Sequence, residues 1–279
     1  MTEPSSAPDR GRSRLLTPVF LLVMLSTLAY FTTVGAIQPT LPRYVENALG
    51  GSSVAVGLTV GAFSITAVLL RPSSGRLSDT RGRRILMIGG GCLVGISGLT
   101  YAVATTLAPL IAARLVTGVG ESFYYVGAAS VINDLAPDDR RGEALSYFSL
   151  ALFGGLAIGP VIGETILNAS GFHAVWYFAG ASALAAGLLG FLVPETRPAG
   201  AGKERPPLLH RAAMLPGSVL GTNIWALATF TSFIALYALS LGLDGARMVF
   251  VLNSAVIIAI RLFGARLPDR LGAKRAGSI

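Results

Sequence analysis

One cysteine in 279 residues, Cys92, leaves no intrachain disulfide to form, and its apolar neighbours suit a buried structural thiol. Histidine is nearly as scarce. His173 and His210 have no ligand-type neighbours at metal-binding spacing, so no metal site is expected. Nucleophile elbows, zinc-helix motifs and phosphate loops are all missing, which leaves no catalytic constellation, no expected cofactor and no reason to read an enzyme. Charge is the third shortage: 13% of residues are charged against 52% hydrophobic, and the mean hydropathy is +0.65. A soluble domain of this size is excluded on those grounds. Acids are outnumbered by bases, 14 to 22, for a net charge of +8. A nucleic-acid partner would need those bases on a soluble face interleaved with aromatics. They lie instead in short segments between apolar runs, as in loops beside a lipid bilayer.

What is abundant is apolar runs of roughly twenty residues, the length of one bilayer crossing. About eight are expected, at 17–38, 53–72, 85–105, 108–132, 143–167, 172–193, 215–240 and 246–264. Because backbone amides in hydrocarbon must be satisfied within their own segment, the runs read as helices and the fold as an all-α polytopic membrane bundle. Arg10, Arg12 and Arg14 precede the first run, and further bases follow each even-numbered one, against Arg43 and Arg247 on the other side. That asymmetry predicts a multi-pass protein of the cell (inner) membrane with a cytoplasmic N-terminus. Residues 1–16 then form a cytoplasmic tail, 17–193 a six-helix bundle, 194–214 a cytoplasmic linker rich in proline, and 215–279 two further helices and a loop.

The stretch Gly75-Arg76-Leu77-Ser78-Asp79-Thr80-Arg81-Gly82-Arg83-Arg84 reads as a tight basic loop with one carboxylate. It recurs 190 positions later, where Arg71, Arg76, Leu77, Asp79, Gly82 and Arg84 are matched by Arg261, Arg266, Leu267, Asp269, Gly272 and Lys274. Two homologous halves therefore begin at the first and seventh runs. This loop resembles the signature between the second and third helices of the major facilitator superfamily of secondary transporters, and Ala265–Arg275 resembles its degenerate copy. Arg114–Gly120 is similar to that family's fourth-helix motif, Pro137–Gly142 to its loop between helices four and five, and Gly155–Gly163 to the fifth-helix motif of antiporters that export drugs and metabolites.

The resemblance implies twelve helices in two six-helix bundles around a cavity that opens alternately to either side. Since the sequence ends at Ile279, a partial reading of a full transporter is expected, with a natural eight-helix protein as the alternative. The implied activity is proton-coupled export of small organic molecules. Proton-linked nutrient uptake and a non-transporting fragment remain open. Expected partners are a small-molecule substrate, protons and the lipid bilayer.

Arg114 and Glu121 are the ionisable residues most clearly inside a span, and they share a stripe of the fourth helix with Gly118 and Tyr125. They either line the transport path, with Glu121 carrying a proton, or form a structural pair with neighbouring helices. Gly75, Asp79, Arg81, Gly82, Arg83 and Arg84 form the expected gating loop, in which the arginines serve as topology anchors or gate specifically, and the resemblance implies that Asp79 caps a helix of the opposite bundle. Asp269 is its counterpart in the second half. Gly155, Gly159, Pro160 and Gly163 are expected to give the fifth helix a flat, bendable packing face.

Overall fold

A computed structural model describes residues 15–197 without interruption, the helix at 247–264, and scattered positions between 214 and 241. Among the described residues every regular element is helical: α1 (Pro18–Asn47), α2 (Ser53–Arg81), α3 (Arg83–Thr100), α4 (Leu107–Leu135), α5 (Arg141–Leu189) and α6 (Arg247–Gly264). Most of the run expected at 215–240, the linker from residue 198 to 213, and Asp269 lie outside them.

Two helices run further than the apolar runs suggested. α1 continues past residue 38 through Pro39 and Pro42 to Asn47, and α2 continues past Pro72 to Arg81. Proline removes one ladder hydrogen bond without ending either helix, and hydroxyls in the same turns bond neighbouring carbonyls of their own helix: Thr40 donates to Ala36 O at 2.8 Å and Ser74 to Leu70 O at 2.9 Å. The stretch read as a basic loop, Gly75 to Arg84, is accordingly helix up to Arg81. The turn between α2 and α3 is Gly82 alone, at φ 109°, a backbone region that other L-residues avoid.

Among the described residues, five helical stretches are long and apolar enough to cross a bilayer. The last, Asp138–Leu192, has 55 residues and would be about 80 Å long if straight, far more than the roughly 30 Å hydrocarbon core. It is broken at Gly171, whose φ of 78° and ψ of −177° are not helical. The break falls between the expected runs 143–167 and 172–193. Packing against α1 confirms a hairpin. Along the first arm, a Cβ on Gly155 would meet Leu28 O at 2.7 Å and one on Gly163 would meet Ala36 O at 2.7 Å, so residue numbers rise together. Along the second arm Ser26 donates to Ala186 O, Ser182 donates to Ala29 O and Thr33 donates to Ala179 O, so the numbers run oppositely.

Glycine sets these approaches. Gly35 of α1 sits against Gly155, Gly159 and Pro160 of α5; Gly91 of α3 meets Gly187, and Gly98 meets Gly180. Backbones that close exchange dispersion contacts over their whole length, which in a bilayer replaces the hydrophobic drive of a soluble core. Gly155, Gly159, Pro160 and Gly163 therefore have a packing role against α1. Two apolar clusters fill the interior: one with Phe20, Tyr30, Met87, Tyr124 and Phe148, the other with Tyr44, Tyr101 and Trp176 at the opposite end. Trp176 stands edge-on to both Tyr44 and Tyr101 at 5.4 and 5.5 Å between ring centres.

Candidate functional site

α2 and α4 run side by side in the same direction. Thr66 donates to Leu115 O at 2.8 Å, Arg71 reaches Glu121 and Ser74 bonds Ser122 at 2.7 Å, in that order along both helices. Gly118 makes this approach possible, because a Cβ there would collide with Phe63 O and Thr66 Oγ1 and lie 3.0 Å from Ala67 N. It belongs to the helix contact rather than to a cavity wall. Gly120, two residues on, faces α3 instead, where a Cβ would sit 2.8 Å from Gly90 O.

The stripe expected on α4 faces α2, and its two charges have different surroundings. Arg114 is 7% exposed and meets neutral partners: its Nε donates to Thr59 O at 3.2 Å, its Nη1 to Tyr101 OH at 3.5 Å, and its guanidinium lies 4.6 Å from the centre of the Phe63 ring. Glu121 has an ionic partner that the sequence reading left out of the site. Arg71 Nη2 donates to Glu121 Oε1 at 3.2 Å, and the guanidinium rests 4.7 Å above the Tyr125 ring. Arg114 and Glu121 thus do not pair with each other. Arg71 was left out because the expected run ends at residue 72, which puts the arginine at a membrane boundary. The signal available was its match to Arg261 in the repeat.

Behind the pair, Tyr30 of α1 stacks face to face on Tyr124 with centroids 3.9 Å apart, and Tyr124 OH bonds Ser26 at 2.5 Å. Tyr30 OH, Arg71 Nε and Glu121 Oε2 are buried without a hydrogen-bond partner among the described residues. Buried polar groups are as a rule hydrogen-bonded, so each of these atoms is costly where it stands.

The residues of the expected gating loop form a second cluster at the Gly82 end. Asp79 Oδ1 pairs with Arg83 Nη2 at 3.3 Å, and Arg83 Nε bonds Asp134 Oδ2 at 2.9 Å, so Arg83 is turned inward rather than toward lipid headgroups. Arg84 donates to Phe191 O at 2.7 Å; Arg81 is exposed. Gly75, expected to allow close packing, has open space where its Cβ would be. The sequence reading missed the organising group, Glu195, by assigning it to the linker. Its carboxylate accepts from the backbone N–H of Arg83 at 2.9 Å, Arg84 at 3.2 Å and Arg197 at 3.0 Å, closing the N-terminus of α3. It also fills the place of a side chain at Gly82. Thr196 donates to Asp134 and Arg197 to Thr80 O, tying the end of α5 to both neighbouring helices.

Partial burial works to raise the Glu195 pKa, but the three N–H donors and the nearby Arg83 charge outweigh it, and the net value lies below the ordinary 4.5. A carboxyl shifted downward stabilises the fold above its unfolded value, and that stabilisation disappears as pH falls through the folded value. Glu195→Gln is expected to cost about 1 kcal/mol at neutral pH, the usual size of a lost helix cap. Thermal unfolding of both proteins in detergent should show the gap closing below pH 4.5. A gap that stays constant into acid would show that the carboxylate charge contributes nothing.

The family model for the Major Facilitator Superfamily matches residues 23–279. The chain belongs to that superfamily. Among curated superfamily members it is 25% identical over 266 residues to an uncharacterised MFS-type transporter, MJ1560, of Methanocaldococcus jannaschii, covering 90% of this chain and 68% of that protein. Over 184 residues it is 31% identical to Multidrug resistance protein 1 of Bacillus subtilis, covering 64% of this chain and 47% of the relative. Its fold is similar to that of the xylose transporter XylE from E. coli in an inward-open conformation, with a TM-score of 0.56 and 20% identity over 63% of this chain and 47% of that one. The superfamily's first-loop motif here forms the Glu195 cluster, and its fourth-helix motif supplies Arg114 and the glycines that seat α4 between α2 and α3. This is a multi-pass membrane protein of a transporter family.

Proposed function

We propose that the chain belongs to a proton-coupled secondary transporter of small organic molecules that works by alternating access, with Glu121 as the proton-carrying group and Arg71 as its exchangeable partner. The observation that carries this reading is the Arg71–Glu121 pair: an ionic contact of 3.2 Å inside a membrane-spanning bundle, with one carboxylate oxygen and one guanidinium nitrogen left over. A carboxylate there is held by a single countercharge, so anything that engages Arg71 changes the cost of keeping Glu121 charged. Orientation with the N-terminus in the cytoplasm of an inner membrane follows from the placement of the bases.

Two observations bear on direction. Likeness to Multidrug resistance protein 1 favours export. The α5 glycines and Pro160, the other reason to read export, are occupied in packing against α1. The Arg71 side chain is 41% exposed and Glu121 8%, so a solute entering between α2 and α4 meets the cation first.

The test is the full chain reconstituted in liposomes loaded with a pH-sensitive dye, with benzoate and ethidium as anionic and cationic probes. Proton movement that accompanies probe flux, and is lost in Glu121→Gln, supports the reading. Flux that ignores a proton gradient, or no flux of either probe, overturns it.

A further inference from the structure

The facing sides of α2 and α4 carry two guanidinium groups, Arg71 and Arg114, and one carboxylate, Glu121. Arg114 is closed in by a carbonyl, a phenol and an aromatic ring, none of them anionic. Among the described residues the site therefore holds one positive charge more than the carboxylate neutralises. Glu121 uses one oxygen on Arg71, although a guanidinium and a carboxylate can meet through two parallel hydrogen bonds. The Arg71 side chain is 41% exposed, and its Nε has no partner among the described residues.

We propose that Arg71 docks the carboxylate of an organic monoanion, and that this anion and a proton on Glu121 occupy the site together. The inference rests on the reading of Glu121 as the proton carrier and adds the charge class of the substrate. When a solute carboxylate replaces Glu121 on Arg71, Glu121 is left buried without its cation. Charge in that position is costly, and the carboxylate takes a proton from solution. The anion brings one negative charge and the proton one positive, so the site keeps its net charge. The groups near the pair among the described residues do not alter this balance: Arg71 from α2 and Tyr125 from α4 meet beside Glu121, and Tyr30 from α1 lies near Glu121 as well as near Tyr124, Tyr101 and Arg114. None is a second carboxylate that could hold a cation. An organic cation would have to pass Arg71 and be repelled by both arginines before reaching Glu121. Joint occupancy also makes proton and solute travel the same way, which favours uptake over export.

The measurement is calorimetric titration of the purified full chain in detergent near pH 7, repeated in buffers of different ionisation enthalpy so that protons taken up per site are counted. The probes are benzoate, benzylammonium and benzamide, matched in size and differing in charge. Benzoate is expected to bind with uptake of close to one proton, and the other two not to bind. Arg71→Gln should weaken benzoate about tenfold or more, the size of a lost charge-assisted hydrogen bond, with Arg71→Lys in between. Glu121→Gln should still bind benzoate, with no proton uptake. Failure of benzoate to bind wild-type protein, or equal binding to Arg71→Gln, overturns the anion site. Benzylammonium binding with proton release overturns it while leaving Glu121 as proton carrier. Benzoate binding without proton uptake, or with the same uptake in Glu121→Gln, overturns joint occupancy and the proton-carrier reading with it.

Discussion

Arg71→Gln should destabilise the folded chain by about 2 kcal/mol, and adding Glu121→Gln should recover most of that loss. Removing one member of a fully buried ion pair costs about 3–5 kcal/mol because the other charge is stranded. The lower figure applies because the Arg71 side chain is 41% exposed, so solvent screens part of the interaction. Glutamine in both positions leaves two amides of similar shape that can bond each other across the same gap. Chemical unfolding of the four proteins in detergent closes the cycle, and the coupling energy isolates the pair from the packing around it. A double variant no more stable than Arg71→Gln would show that Arg71 stabilises through its contact with the Tyr125 ring instead.

Gly118→Val is the second large effect. Its Cβ would enter the space of Phe63 O and Thr66 Oγ1. The threonine hydroxyl can rotate away, but the carbonyl belongs to the α2 backbone and moves only if the helix does. The expected cost is about 3 kcal/mol or more, at the upper end for overpacking, with loss of the Arg71–Glu121 contact one turn further on. Gly61→Ala is the control, since a Cβ there has nothing within 4 Å. It should stabilise by about 0.5–1 kcal/mol through helix propensity alone. Yield of folded protein and unfolding midpoints separate the two. Equal behaviour would mean that α2 can shift away from α4 without penalty.

Most of the fold was readable because the bilayer allows few solutions. Runs of apolar residues had to be helices, and the break at Gly171 falls between two of them. What misled was run length. The runs expected to end at 38 and 72 continue as helix through Pro39, Pro42 and Pro72, because apolar length does not mark a helix end that runs on past the bilayer core. The same misreading hid Arg71 from the site and turned the last turns of α2 into a loop. The stripe of Arg114, Gly118, Glu121 and Tyr125 followed from helical spacing, but spacing cannot name partners on other helices. Glu195 was hidden for that reason: 112 residues separate it from the Arg83 amide it caps, and nothing local marks that meeting.

The hairpin of α5 around α1 also limits how the bundle can move. Its arms run in opposite senses, and both are keyed to α1: one by glycines pressed on its backbone, the other by hydroxyl-to-carbonyl bonds. If α1 slid along its own axis, it would advance in register on one arm and retreat on the other, breaking both sets of contacts at once. Sliding of packed helices, one of the two usual modes of domain motion, is thereby blocked. If these three segments move, they move as a block.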